Sequence, residues 1–249
     1  MGSILVAMTR GIWIFGLVLA VLGVTAAANA AGRRPVVVEL YTSQGCGSCP
    51  PADALLGRLA ERHDVIAMSL PVTYWDMLGW KDTLASDANT SRQKAYALAK
   101  GRGGVYTPQM IVDGASDVVG SREADVQAAI AEREADMPYI PVTLQTTRNA
   151  MHIAIGAGDS GANATIWLFH LLDRANVDVA SGENGGRVLT YRNVVREVRA
   201  IGLWRGHAVA IDLPRTEVAN VSHDSVAVIV QDAGYGRILG AAQTAWPGR

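Results

Sequence analysis

The chain has 249 residues, of which 49% are apolar, ample for the folded cores of one large or two modest domains. Its 22 basic residues against 23 acidic ones leave a net charge of −1, a balance that suggests neither a nucleic-acid partner nor attraction to an anionic membrane. Only two cysteines occur, so the chain carries no framework of structural disulfides.

Arg10 is the only charged residue among the first thirty, Gly11 to Val24 is almost wholly apolar, and Ala28-Asn29-Ala30 has the small-x-small pattern of signal-peptidase sites. Residues 1–30 are expected to be a secretory signal peptide, which makes the protein periplasmic or secreted. A retained anchor is the weaker alternative, because the apolar stretch falls short of the roughly 20 residues a span requires. The membrane would then be met only through an uncleaved signal segment.

Val36 to Tyr41 reads as a continuous apolar strand buried on both faces, and Pro51 to Arg62 carries Leu55, Leu56 and Leu59 at helical spacing. Val65 to Leu70 is a second strand, parallel to the first because a helix connects them. Asp87 to Lys100 is predicted helical, with Asp87 as its cap and Gly101 as its stop. Val105 to Val112, the turn Asp113-Gly114 and Val118-Val119 read as a hairpin, followed by a helix from Ser121 to Ala135. Beyond Pro138 and Pro141 the texture changes to short alternating runs: 142–147, 151–155, 165–172, 188–191, 194–201, 207–213, 226–231 and 238–242. Glycine and asparagine turns separate them, the pattern of an antiparallel sandwich. His170, between Phe169 and Leu171, reads as an interior histidine, and this half shows no constellation of catalytic type.

Between the first strand and the first helix lies Cys46-Gly47-Ser48-Cys49. A sulfur at a helix N-terminus meets unpaired amide N–H groups that favour the thiolate, so the pair reads as a redox-active dithiol. The same spacing fits half of a zinc site, but there is no second cysteine pair, and His63, His152, His170, His207 and His223 are scattered. An inert bridge is the other alternative; closing so short a loop removes little entropy from the unfolded chain. No metal or cofactor is expected for the dithiol reading. Cys46, at the helix start, is expected to be the more exposed, attacking sulfur, and Cys49 to resolve the mixed disulfide. Glu39, an acid inside an apolar strand, must be neutral or paired; it either accepts a proton from Cys49 or forms a structural salt bridge. Tyr74, Trp75 and Trp80 leave the second strand at the edge that bears Cys46. They read either as a surface for a substrate peptide or as a lid.

The order β-α-β-α-β-β-α across residues 33–137, with Cys46 and Cys49 after the first strand and Thr107-Pro108 before the hairpin, resembles the thioredoxin-like fold. In that fold a cis-proline faces the dithiol. The stretches Glu39 to Cys46, Tyr74-Trp75 to Gly79-Trp80-Lys81-Asp82, and Val105 to Met110 resemble, more specifically, a family of exported bacterial thioredoxin-like proteins of unknown function. The expected architecture is therefore α/β: a thioredoxin-like domain, 33–137, followed by a β-rich sandwich domain, 138–249. The resemblance implies an exported thiol–disulfide oxidoreductase or electron-transfer protein. Pro108 and Thr107 would present backbone to a protein or small-molecule disulfide substrate, and a redox partner protein would turn the dithiol over. Two other classes remain open at this point. One is soft-metal binding, such as Cu(I) held by both thiolates; the other is a non-enzymatic binding module on a redox-inert platform.

Overall fold

The computed structural model describes residues 1–2, 34–135, 139–159, 163–219 and 222–246. The expected signal segment, its first two positions apart, and the boundary residue Pro138 lie outside the described residues. Residues 33–249 form one compact unit.

Strand β1 (Val36–Thr42) and strand β2 (Val65–Pro71) are parallel, with Val36 opposite Val65 and Thr42 opposite Pro71, and every residue of both is buried. Helix α1 (Pro50–Leu59) connects them; its two leading prolines sit where no intrahelical N–H is required. A 3-10 turn (Thr73–Leu78) leads to helix α2 (Asp87–Ala99). Ser86, not Asp87, caps α2, its side chain accepting from the Asn89 amide at 3.2 Å. Strands β3 (Gln109–Val112) and β4 (Ser116–Val119) form a hairpin, and helix α3 (Glu123–Glu134) follows. β3 runs antiparallel to β1, pairing Tyr41 with Gln109.

Alternation along β1 sorts its side chains between two cores. Val36, Val38 and Leu40 pack against Leu55, Leu56 and Leu59 of α1 and Val126 and Ile130 of α3. Val37 and Tyr41 face the other way, toward Tyr96 of α2 and residues of the second half of the chain.

That second half is built from β5 (Val142–Thr146), β6 (Ala150–Ile155), β7 (Ala164–Val179), β8 (Arg187–Trp204), β9 (Val209–Pro214), the short α4 (Arg215–Val218), β10 (Ser225–Asp232) and β11 (Ile238–Ala245). Here the structure corrects the expected architecture. β7, β8, β10 and β11 do not form a separate sandwich; they continue the sheet of the first half, in the order β11-β10-β7-β8-β2-β1-β3-β4. A helix-flanked thioredoxin-like domain followed by a sandwich is thus replaced by a β-rich fold in which one mixed eight-stranded sheet crosses both halves. β5, β6 and β9 make a second sheet of three strands.

The reason lies at the edge of β2. A strand buried on both faces leaves a row of unpaired amides and carbonyls if its outer edge is bare, and β8 covers that edge. Ser69 pairs with Val194 in parallel, and the Asn193 side chain donates to the Ala67 carbonyl at 2.9 Å. Phe169, Leu171, Val195, Ala227 and Ile229 then complete the core begun by Val37, Tyr41, Ile66, Met68 and Tyr96. The runs expected separately at 188–191 and 194–201 are one strand of 18 residues, with Asn193 at φ 46° between them.

At the centre of this shared core lies an ion pair. Arg92 of α2, 2% exposed, donates through Nε to Glu39 Oε1 at 2.6 Å and through Nη2 to Oε2 at 3.2 Å. Nη2 also reaches Gln231 Oε1 of β10 at 3.1 Å, and the Tyr96 hydroxyl donates to Glu39 Oε2 at 2.6 Å. The guanidinium lies 5.1–5.5 Å from the ring centroids of Tyr96, Trp167, Phe169 and Tyr235. Burial works against the cation, but the charge and hydrogen bond of Glu39 together with Tyr96 and Tyr41 outweigh it and hold Arg92 above its ordinary range. Arg92→Met would strand the Glu39 carboxylate in the core and is expected to lower stability by about 3–5 kcal/mol. Replacing both partners, as Glu39→Leu with Arg92→Met, should recover most of that loss in urea unfolding, because no uncompensated charge remains.

Candidate functional site

Cys46 and Cys49 are joined in a disulfide at the start of α1, with Cys49 at the N-cap. The Cys49 amide donates to the Cys46 carbonyl at 3.1 Å, and the amides of Ala52 and Asp53 donate to the Cys49 carbonyl at 2.9 and 3.1 Å. The sulfurs therefore sit on the first turn of the helix. Both cysteines are wholly buried, which corrects the expectation that Cys46 is the exposed one, while Gly47 and Ser48 between them reach the surface.

Residues from both halves of the chain hold the loop that carries them. The tip joining β7 to β8 rests on the dithiol loop: Asn184 Nδ2 donates to the carbonyls of Gln44 at 3.0 Å and Cys46 at 2.9 Å, and the Gly47 amide donates to Glu183 Oε2 at 2.7 Å. A side chain at position 47 would collide with Glu183, since a Cβ there would lie 2.7 Å from Oε2. From the other side Asp82 accepts from the Gln44 amide at 2.8 Å and from the Leu84 and Ala85 amides at 2.8 and 3.1 Å. Gln44 Oε1 in turn accepts from Trp80 Nε1 at 2.8 Å.

Beneath the pair lies Asp53, four residues after Cys49 and so on the same face of α1. It is 7% exposed, and neither carboxyl oxygen has a hydrogen bond of ordinary geometry. Burial pushes its pKa up to about 8, opposed by the Thr42 hydroxyl nearby and reinforced by the charge of Asp82. The Tyr191 hydroxyl of β8, also buried without a partner, is raised by burial and then by Asp53 and Asp82.

Several of the residues singled out from the sequence come together at this end of the sheet. Thr107-Pro108 is cis, and Pro108 precedes β3 where the register places it beside Thr42 at the end of β1. Trp75 Nε1 donates to Thr107 Oγ1 at 2.9 Å, and a Cβ on Gly45 would lie 3.3 Å from the Trp75 Cβ, so Trp75 stands against the dithiol loop. Trp80 is tied to the same loop through Gln44. Tyr74 packs at the margin of the core formed by Val37, Tyr41 and Tyr96. Glu39 does not join them: it faces away from α1, in the ion pair with Arg92.

Asp53, Glu183 and Asn184 are the residues that sequence reasoning missed. Asp53 had a usable signal, an acid at i+4 from Cys49 on the face that carries Leu56. Glu183 and Asn184 had none, because 134 residues or more separate them from the dithiol and only the tertiary fold brings them there. Asp82 lay inside a motif already noted, without a role.

The similarity of this chain to other proteins extends across both halves. A crystal structure of a protein from Agrobacterium tumefaciens, solved as a structural genomics target, is 35% identical and superposes with a TM-score of 0.75, covering 86% of this chain and 97% of that one. The structure described as HBP35 of Porphyromonas gingivalis is similar in fold, with a TM-score of 0.58 over 86% of this chain and 75% of that one, at 14% identity. No curated protein matches. The model of a family described as protein of unknown function, DUF1223, matches residues 37–231, a span that includes the dithiol, Asp53 and the β7–β8 tip alike. The chain belongs to that family.

Proposed function

We propose that this protein is an exported thiol–disulfide exchange protein that works through Cys46 and Cys49. The observation that carries this reading is the placement of the chain's only two cysteines, bonded at a helix N-terminus, with a buried carboxyl of raised pKa one turn below. An acid tuned in this way can give a proton to a departing thiolate or take one from a thiol, which assists disulfide exchange. The expected signal peptide and a bond that persists in oxidising compartments agree with a periplasmic or secreted location.

In the oxidised form described here the exchange begins with a thiolate of a partner dithiol. It attacks the Cys46 sulfur, the Cys46–Cys49 bond breaks, and Cys49 leaves as a thiolate that takes the proton of Asp53. Solvent then reprotonates Asp53. The partner's second thiol loses its proton and attacks the partner sulfur of the mixed disulfide, releasing Cys46, which takes up a proton. Two electrons and two protons have moved from the partner to the pair. In the reverse direction ionised Asp53 accepts the proton of Cys49, and a disulfide substrate is reduced. Cys46 is assigned as the attacked sulfur because its Sγ lies 3.4 Å from Oγ of the exposed Ser48 and it precedes the helix that Cys49 caps. The rim of Trp75, Thr107 and Pro108 supplies contact area and backbone for an extended substrate segment.

Cys49→Ser is expected to trap a mixed disulfide through Cys46, resolved as an adduct on non-reducing gels, whereas Cys46→Ser traps little; equal trapping would contradict the assignment. Asp53→Asn should slow exchange by about 10²-fold and abolish the titration of its rate near pH 8. The variant also reports on stability. A carboxyl whose folded pKa lies above its unfolded value contributes least at high pH, so wild-type stability should fall between about pH 4 and about pH 8 by a component that Asp53→Asn lacks. The tip imposes a third expectation. Asn184→Ala removes the donor to the Cys46 carbonyl, and reduction of the disulfide by a small thiol should accelerate by about tenfold as the tip loosens.

A further inference from the structure

Between α1 and the outer part of the β7–β8 hairpin runs a cleft of about 410 Å³, within the range of small-molecule sites. Pro50 and Asp53 line it on the helix side, so it abuts the turn that holds Cys49. Four arginines, Arg58, Arg174, Arg187 and Arg192, line it as well, in a protein whose net charge is −1. Its acidic groups are Asp53 and Glu61.

The arginines differ in what they already hold. Arg58 is paired with Glu123 at 2.7 Å, Arg187 donates to Asn184 Oδ1 at 2.9 Å, and Arg192 reaches the Asp173 carboxylate at 3.3 Å. Arg174 has no ion pair among the described residues. It stands directly across the strand ladder from Arg192, where like charges repel; of the two, the Asp173 carboxylate meets only Arg192, at 3.3 Å, so a further anion beside the two guanidinium groups would be favoured. Guanidinium groups bind carboxylates with two parallel hydrogen bonds, and several arginines converging on one cleft suit a ligand with more than one carboxylate.

We propose that this cleft binds a small peptide thiol bearing free carboxylates, of the size and charge of a tripeptide such as glutathione. Resting on the exchange reaction above, it makes that ligand, or its disulfide, the low-molecular-weight partner of Cys46 and Cys49. The carboxylates are held by Arg174 and Arg192, and the sulfur lies toward Pro50 and the dithiol turn.

The test uses the full chain and two kinds of measurement. S-methylglutathione, which has both carboxylates but no free thiol, is titrated into wild type and Arg174→Ala, and inorganic phosphate is titrated in parallel. In addition, exchange rates are measured with glutathione disulfide and with the uncharged bis(2-hydroxyethyl) disulfide. S-methylglutathione should bind wild type more tightly than phosphate does and lose about tenfold in affinity in Arg174→Ala, with Arg174→Lys between the two. The ratio of the two exchange rates should shift against glutathione disulfide by a similar factor. Absent S-methylglutathione binding, binding indifferent to Arg174, or phosphate binding as tightly as the peptide would each overturn the assignment. If neither disulfide reacts while S-methylglutathione still binds through Arg174, the exchange reading falls and the cleft remains a carboxylate site.

Discussion

The buried pair of Glu39 and Arg92 is the constraint on which the rest of the structure turns. Taking both charges out of water costs several kcal/mol per ion, and only a full set of partners offsets that cost. Those partners come from β1, α2, β7 and β10, with Tyr235 from the turn after β10. No part of the chain can satisfy the pair alone. The first half supplies the carboxylate, the guanidinium and Tyr96; the second supplies Gln231 and three of the four aromatic rings around the cation. A charged centre of this kind specifies the arrangement of the two halves more sharply than apolar burial would, since a shift of one residue in β10 would carry Gln231 to the other face.

From that fixed arrangement the position of the β7–β8 hairpin follows. With β8 paired to β2 through Ser69 and Val194, the outer part of the hairpin runs beyond the sheet along α1, and its tip arrives over the dithiol loop. The backbone of the dithiol loop is therefore held by residues of a segment that, in sequence, looks like a solvent-exposed glycine-rich turn. In the exchange reaction proposed above, a bulky partner requires motion of a hairpin tip held by four hydrogen bonds, a smaller unit than the sheet beneath it.

Legibility in the sequence divided along physical lines. The strands at Val36 and Val65 and the helix bearing Leu55, Leu56 and Leu59 were visible because burial writes itself as local periodicity. So was the placement of Pro108 beside the end of the first strand, which depends only on strand directions. The continuity of the sheet was not visible, because alternation within β8 reports that its faces are buried and says nothing about which strand pairs at its edge. The outer part of the hairpin, Asp173 to Asp178, was read as a break because Asp173 and Arg174 interrupt the apolar run, although Ala175, Val177 and Val179 alternate beyond them and pack with Leu189 and Tyr191. Glu39 was seen to need a partner; Arg92, 53 residues away, carried no mark distinguishing it from a surface arginine.

The two buried carboxyls show how one fold assigns different work to the same chemistry. Glu39 sits against a cation and two tyrosine hydroxyls, so its charge is satisfied and it is locked in place. Asp53 lies across the sheet with no ion pair and no hydrogen bond of ordinary geometry among the described residues, so burial, opposed by the Thr42 hydroxyl and reinforced by the charge of Asp82, pushes it up to about 8. A paired acid, held by fixed hydrogen bonds, suits architecture; an unpaired one whose pKa burial brings near neutral gives and takes a proton with little driving force in either direction. Local sequence alone makes Glu39 the better candidate for proton transfer, since it lies in the strand that leads to the cysteines. Partners separate the two: Arg92 of α2 is bonded directly to the Glu39 carboxylate, and Asp53, which shares one turn of α1 with Cys49, has no such ion pair.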